Sequence, residues 1–309
     1  IGGTGTLVGT PPNLLFVSTV EEIFPDAPLL VFTDWLKIGI PFVVLFLPVS
    51  WIYLVKYFKV DGDLKGSSEI IDQEYHDLGP MSEGEKKVSL IILIYAMGFI
   101  FRNWWSVLLG VESFVKDSTV AFLASFFLFL LPSGRKDDKG RSIKLLEWKE
   151  AKEIPWGIAM MIGGGLAIAS SFKSSGLISW VAGVINLEGI PILLVILIFV
   201  TAMVFITEIN SNTASTAIFL PLLAGLSKAG GFHPYILMIP ATIAASCAFM
   251  LPSGTGPNAS VLSSGHLSIP QMAKVGLGLN ILVIIFIVIL LYFVILPIMN
   301  ISSTVPSWM

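Results

Sequence analysis

The sequence predicts an all-α, multi-pass membrane protein built as an inverted repeat, with broken helices and a re-entrant hairpin. Three observations carry that expectation. The 309 residues are 55% hydrophobic and 13% charged, where a soluble domain carries about 25% charge. Charges are gathered between long apolar blocks, at a mean hydropathy of +0.86, the pattern of membrane-spanning helices. A pentapeptide occurs twice, as Gly9-Thr10-Pro11-Pro12-Asn13 and as Gly254-Thr255-Gly256-Pro257-Asn258. Each copy adjoins an apolar stretch in which Gly and Pro interrupt a helix.

The elements follow in chain order. Ile1 to Val20 is a Gly-rich loop and then a short apolar run from Leu14, too short for about 30 Å of hydrocarbon. It reads as the second half of a broken helix. The chain opens inside this loop without an initiator Met, so an upstream part is expected to be missing. Trp35–Phe58 is a full span containing Pro41 and Pro48. Lys56–Lys87 is polar. Val88–Leu109 is a second span, with Arg102, Asn103, Trp104 and Trp105 near its far end as an interfacial belt. Ser118–Leu131 is a shorter span and Arg135–Lys152 is basic. Ile154–Phe172 is a fourth span carrying Gly163-Gly164-Gly165, read as a close-packing surface rather than a hinge. Ile190–Ile206 and Ala214–Leu226 are short apolar arms around Thr207-Glu208-Ile209-Asn210-Ser211-Asn212-Thr213, the pattern of a hairpin that dips in and returns. Tyr235–Leu251 runs into the second pentapeptide, Ala259–Ser264 continues past it, and Val275–Leu296 is the last span.

Lys and Arg counts set the orientation. Lys56–Lys87 carries five basic residues and Arg135–Lys152 seven, against Lys116 alone in the Val111–Asp117 connection. Two spans separate the basic segments, so both face the cytoplasm. The helix after Asn13 then exits to the outside. With 190–226 as a hairpin, the helix carrying Gly254 runs from outside to inside. The two pentapeptides therefore lie on oppositely directed helices, as in an inverted repeat; a full span at 190–206 would change the parity.

Paired interruptions in two halves are the sequence pointer to a transporter binding site. Proline removes a backbone donor and glycine allows turns, so carbonyls lose their helical partners and can coordinate a hard cation. The half-helix beyond presents free N–H groups and a positive dipole end to an anion. Thr10, Asn13, Thr255 and Asn258 add neutral donors and acceptors. A proline kink stabilised by its neighbours is the plainer alternative for each copy. Ser211-Asn212-Thr213 can converge on one ligand at a hairpin tip, or be a polar turn. Glu208 is either a functional intramembrane carboxylate or a structural one.

Several absences narrow the chemistry. Ile1–Val20, Thr207–Leu222 and Met250–Gly265 contain no Lys or Arg. An anion there must be held by neutral donors, helix ends and bound cations, because an uncompensated dianion in low dielectric is prohibitive. No Walker Gly-Lys-Ser/Thr, Gly-x-Ser-x-Gly or His-Glu-x-x-His sequence appears, so no enzyme is expected. Cys247 is single, and His76, His233 and His266 are scattered and expected in loops, so neither disulfide nor metal framework is indicated. Nothing points to nucleic acid.

At these motifs the sequence resembles the divalent anion:sodium symporter family, which includes sodium–dicarboxylate and sodium–sulfate cotransporters. Ile1 through Asn13 resembles its first unwound loop, and Trp148-Lys149-Glu150-Ala151-Lys152-Glu153-Ile154-Pro155-Trp156-Gly157 its pre-hairpin helix. Thr207 through Thr213 resembles the second Ser-Asn-Thr tip, and Ala248 through Asn258 the second unwound loop. The resemblance implies that Ser211, Asn212 and Thr213 contact a substrate carboxylate, with Thr10, Pro11 and Thr255 completing the site. It places one co-transported Na+ near Thr207, Asn210, Asn212 and Gly254, and another near Gly9 and a first hairpin lying upstream. Gly256 departs from the family's more usual proline, which leaves the second loop less rigid. The implied parts are 1–20, the end of the first broken helix; 21–153, scaffold helices and cytoplasmic loops; 154–265, the second-repeat transport part; and 266–309, the last span and tail. The implied activity is sodium-coupled symport of C4-dicarboxylates such as succinate across the plasma membrane by a homodimer in the lipid bilayer. Alternatives are a sodium–sulfate symporter or a sodium-independent dicarboxylate or citrate exchanger of the same fold. An ion channel is the reading from another class, and it would need repeated filter loops around one pore.

Overall fold

The computed structural model describes residues 1–59, 67–111, 114–154, 156–184, 187 and 189–309. Lys65, and Pro155 of the Trp148–Gly157 motif, lie outside them. The chain divides into two units, 1–58 with 156–309, and 59–155. Helices supply nearly all of the regular structure.

The unit of 59–155 starts with α3 (Ser67–Leu78), whose last turn holds His76; this histidine is helical rather than in a loop. The run read as Val88–Leu109 is two helices, α4 (Glu83–Ile100) and α5 (Arg102–Leu108), bent by 78°. α4 starts earlier than hydropathy suggests because Ser82 and Glu85 form a reciprocal capping box. The bend falls at Phe101, where the Trp105 indole donates to Gly98 O and Arg102 pairs with Asp117 at 2.7 Å. α6 (Asp117–Leu130) follows. The basic segment then folds into an antiparallel hairpin, β1 (Pro132–Lys136) and β2 (Ser142–Lys144), before the short α7 (Trp148–Ala151).

The other unit contains both pentapeptides. α1 (Pro11–Ile23) and α2 (Phe32–Phe58) flank the first loop side, followed after the other unit by α8 (Trp156–Ser174), α9 (Leu177–Val184), α10 (Ile192–Ile209), α11 (Asn212–Gly230), α12 (Tyr235–Ala245), α13 (Gly256–Ser263) and α14 (Ile269–Leu290). A π-helical turn, Leu291–Ile295, extends α14. Among the described residues, α2, α10 and the 269–298 run are long and apolar enough to cross a membrane. α14 shows why such a helix belongs in lipid. Asn280, Val283, Ile284 and Ile287 are buried, while Ile281, Ile285 and Ile289 form an exposed apolar stripe at four-residue spacing. α12 is buried along its whole length, and Phe16 packs on Trp35 and on Tyr235 at its entry.

The apolar arms around Ser211 are longer than hydropathy implied. Thr207 and Glu208 remain inside α10, because each finds a buried partner instead of ending the helix. The break is confined to Asn210 and Ser211. The helix before the second pentapeptide is shorter than read and stops at Ala245, and a non-helical segment runs from Ser246 to Thr255. The glycine triplet is a packing surface at Gly165 alone: a Cβ there would stand 2.9 Å from both Ala217 Cβ and Leu15 Cδ2, while Gly163 and Gly164 face open space.

Contacts give the helix directions. Leu15, Gly165 and Ala217 meet at one level. Further along, Lys173 Nζ donates to Glu22 O, and Gly225 abuts Ile178 just beyond α8. α1, α8 and α11 therefore run the same way. Thr207, at the end of α10, bonds Ala245 at the end of α12 and contacts Asn212 at the start of α11. α12 packs against both α10 and α11, which touch each other little. So α10 and α12 run opposite to α11. The helix leaving the first pentapeptide thus opposes the helix entering the second loop, as an inverted repeat requires.

Candidate functional site

The second loop is held by its own asparagine. Asn258 Nδ2 donates to Ala248 O at 2.9 Å and to Leu251 O at 3.0 Å. Thr255 caps α13, its Oγ1 accepting the Asn258 N–H at 3.4 Å, with Pro257 in the first turn where no backbone donor is needed. The first loop repeats the device. Asn13, fully buried, donates from Nδ2 to Thr6 O at 2.8 Å and to Thr4 O at 3.5 Å. Both amides reach a carbonyl seven residues upstream. The Trp35 indole also donates to Thr4 O, at 2.8 Å. Each pentapeptide therefore ends in a residue that fixes an unwound loop by its carbonyls.

Long helices press on both loops. A Cβ at Gly39 of α2 would strike Thr4 O and Gly5 O, the latter at 2.8 Å; one at Gly276 of α14 would strike Phe249 O and Met250 Cα, the latter at 2.6 Å. Glycine is required at both places for backbone to meet backbone.

At the α10–α11 break an oxygen cluster forms. Thr207 Oγ1 lies 2.5 Å from Asn212 Oδ1 and 2.8 Å from Ala245 O. One hydroxyl proton faces two acceptors, so the cluster is rich in lone pairs, the donor set that suits a hard cation. Ser211 is the N-cap of α11 and Thr10 that of α1; neither side chain makes a cap bond. The first-turn N–H groups of α11 are thus left for another acceptor, whereas α1 opens on Pro11 and Pro12, which have none, and its Asn13 N–H donates to Thr10 O at 3.2 Å.

Glu208 lies beside this cluster and is 3% exposed. Its Oε1 accepts from the N–H of Phe249 at 2.7 Å, from Met250 N–H at 3.0 Å and from Asn280 Nδ2 at 2.7 Å. Its Oε2 accepts from Met250 and Leu251 N–H, each at 3.0 Å. Successive loop amides therefore converge on one carboxylate, which an acceptor-only group satisfies.

The structure brings Thr207, Asn212 and Gly254 into one neighbourhood: Gly254 sits against Ala248, Leu251 O and the Glu208 carboxylate, and Thr255 follows it. Asn210 is exposed, its Oδ1 accepting the Ser211 N–H. Thr213 is buried in the first turn of α11. Gly9 packs on Gly3 O and Thr6 Oγ1, and Thr10 and Pro11 open α1. Among the described residues no hydrogen bond joins Gly9, Thr10 or Pro11 to Ser211–Thr213; the link is the packing of α1 on α11, with Leu15 and Ala217 both set against Gly165 of α8. Sequence reasoning did not find Ala245 O, Asn280 or the 249–251 amides. Asn280 had a signal, a lone amide in the apolar last span. Backbone groups carry none.

Residues 1–299 match the family described as sodium:sulfate symporter transmembrane region. The chain is 39% identical over 310 residues to a sodium-dependent dicarboxylate transporter of Staphylococcus saprophyticus, covering 99% of this chain and 59% of that protein. It is 38% identical to a protein of the same description from Staphylococcus aureus strain NCTC 8325, covering 99% of this chain and 58% of that one. The chain thus spans about three-fifths of the length of these relatives. With a match over nearly its whole length and both unwound loops in place, the chain belongs to the sodium:sulfate symporter transmembrane family.

Proposed function

We propose that the protein carrying this chain is a sodium-coupled symporter of dianions, with C4-dicarboxylates such as succinate as substrates, in the plasma membrane. The observation that carries the reading is the oxygen cluster of Thr207, Asn212 and Ala245, set directly before the uncapped start of α11. Sodium at the cluster would take lone pairs from Thr207 Oγ1, Asn212 Oδ1 and Ala245 O, with Gly254 and Asn210 beside it. Substrate carboxylate would accept from Ser211–Thr213 and the first-turn amides of α11, with Thr255 from the second loop. In the first half Thr10 offers its hydroxyl, which makes no cap bond, beside Pro11 at the start of α1, and Gly9 the adjoining backbone for a second sodium.

The coupling follows from charge. The three site segments contain no Lys or Arg, so neutral donors face a dianion in a low-dielectric setting. A cation bound alongside stabilises the anion, and the anion strengthens the cation's hold equally. The names of the relatives, sodium-dependent dicarboxylate transporters, support the same substrates.

The test is uptake of radiolabelled succinate by full-length protein in proteoliposomes, under an inward sodium gradient or with potassium replacing sodium. Accumulation in sodium alone, inhibited by unlabelled dicarboxylate more than by sulfate, is expected. Equal uptake without sodium would favour an exchanger, and stronger inhibition by sulfate would reassign the substrate.

A further inference from the structure

Glu208 is a buried carboxylate that the transport reading leaves without a task. It cannot be a sodium ligand in this arrangement. Four donors, the amides of Phe249, Met250 and Leu251 and the side chain of Asn280, address its two oxygens. A carboxylate offers about four lone-pair sites, so none is left for a cation. Nor can it contact an anion, which it repels.

What it does touch is the loop. From α10 it gathers three consecutive backbone amides that would otherwise be orphaned where α12 ends. Gly254 lies against its far oxygen, at 3.5 Å from a Cβ position to Oε2. Ser253 Oγ closes the circuit by donating to Glu208 O at 3.3 Å. Asn280, completely buried, reaches Oε1 from α14, one turn beyond Gly276, whose backbone lies on Phe249 and Met250. Three elements that are far apart in sequence therefore meet on one carboxylate.

We propose that Glu208 is a positioning residue, with Asn280 as its anchor: together they hold residues 249–251 in the unwound course that presents Gly254 and Thr255 to the ligands. The inference rests on the reading of this loop as a transport site. It makes two demands on the side chain, an acceptor at both oxygens and the full reach of glutamate. Gln meets the second but turns an amide donor toward loop N–H groups. Asp keeps the charge but is one methylene short. A residue acting through its charge alone would tolerate Asp; a positioning residue tolerates neither.

The experiment uses full-length protein with Cys247→Ala, any cysteine outside this chain likewise replaced, and a reporter, Gly256→Cys, at an exposed position where a Cβ meets nothing. A membrane-impermeant thiol reagent reads the mobility of the loop, and succinate uptake titrated with sodium reads its function. Glu208→Asp, Glu208→Gln and Asn280→Ala are each expected to speed labelling at 256 about tenfold and to raise the half-saturating sodium concentration about tenfold, the scale of one lost hydrogen bond to a charged group. Parent-like labelling and sodium dependence in Glu208→Asp would overturn the proposal in favour of charge alone. If the Glu208 variants do not fold, Asn280→Ala decides: parent-like values in both readouts overturn the proposal. A parent protein without sodium-dependent uptake defeats the transport reading instead, and the labelling rates still decide the positioning role.

Discussion

Asn13 and Asn258 do the same work in the two halves, and that work is structural. Each donates from one amide nitrogen to two loop carbonyls. Their recurrence was legible in the sequence; their partners were not, because backbone carbonyls leave no trace in residue identity. Replacing Asn258 with Ala leaves two carbonyls without their donor and should destabilise the folded protein by about 1–3 kcal/mol. Asn258→Asp should behave no better, since a carboxylate accepts and does not donate. Thermal unfolding in detergent checks both, with a lowered midpoint expected for each. An Asp variant as stable as the parent would mean that the side chain is not acting as the donor. Asn13→Ala should cost at least as much, its side chain being fully buried.

Among the elements, the two long helices α2 and α14 are the supports of the loops, and a glycine in each sets the approach. Gly39 and Gly276 look unremarkable in sequence, two among the 28 glycines of the chain. Their requirement arises only when a helix backbone meets a loop backbone. Gly276→Ala and Gly39→Ala should each force the loop away, at a cost of about 1–3 kcal/mol from overpacking, with reduced sodium-dependent uptake. Gly163→Ala, in open space on α8, is the control and should leave unfolding and uptake unchanged. Equal behaviour of all three would show that the loops are not held by these contacts. The arms of the Ser211 break were misjudged for a related reason: hydropathy ends a helix at Thr207 and Glu208, whereas buried partners carry it on to Ile209.

For the molecule as a whole, the legible part was what composition and repetition encode. Apolar blocks located the long helices, the duplicated pentapeptide located both unwound loops, and the charge-derived orientation agrees with α1 opposing α12. Tertiary convergence was hidden: Glu208 meeting the 249–251 amides, Asn280 crossing from the last helix, and Ala245 O joining Thr207 and Asn212. The hairpin in 132–144 and the 78° bend at Phe101 were hidden too, the first by basic turn residues without strand periodicity, the second by continuous hydrophobicity across the bend. The central claim is that sodium and a dianion share one site at the α10–α11 break, and Asn212 stands between them. The most direct measurement is succinate uptake by full-length protein, titrated at several sodium concentrations, in the parent and in Asn212→Ala. Loss of this side chain should weaken both ligands by roughly tenfold to a hundredfold, with sodium activation shifted to higher concentration at every succinate level. Unchanged succinate affinity together with unchanged sodium dependence would contradict the account and remove Asn212 from the site.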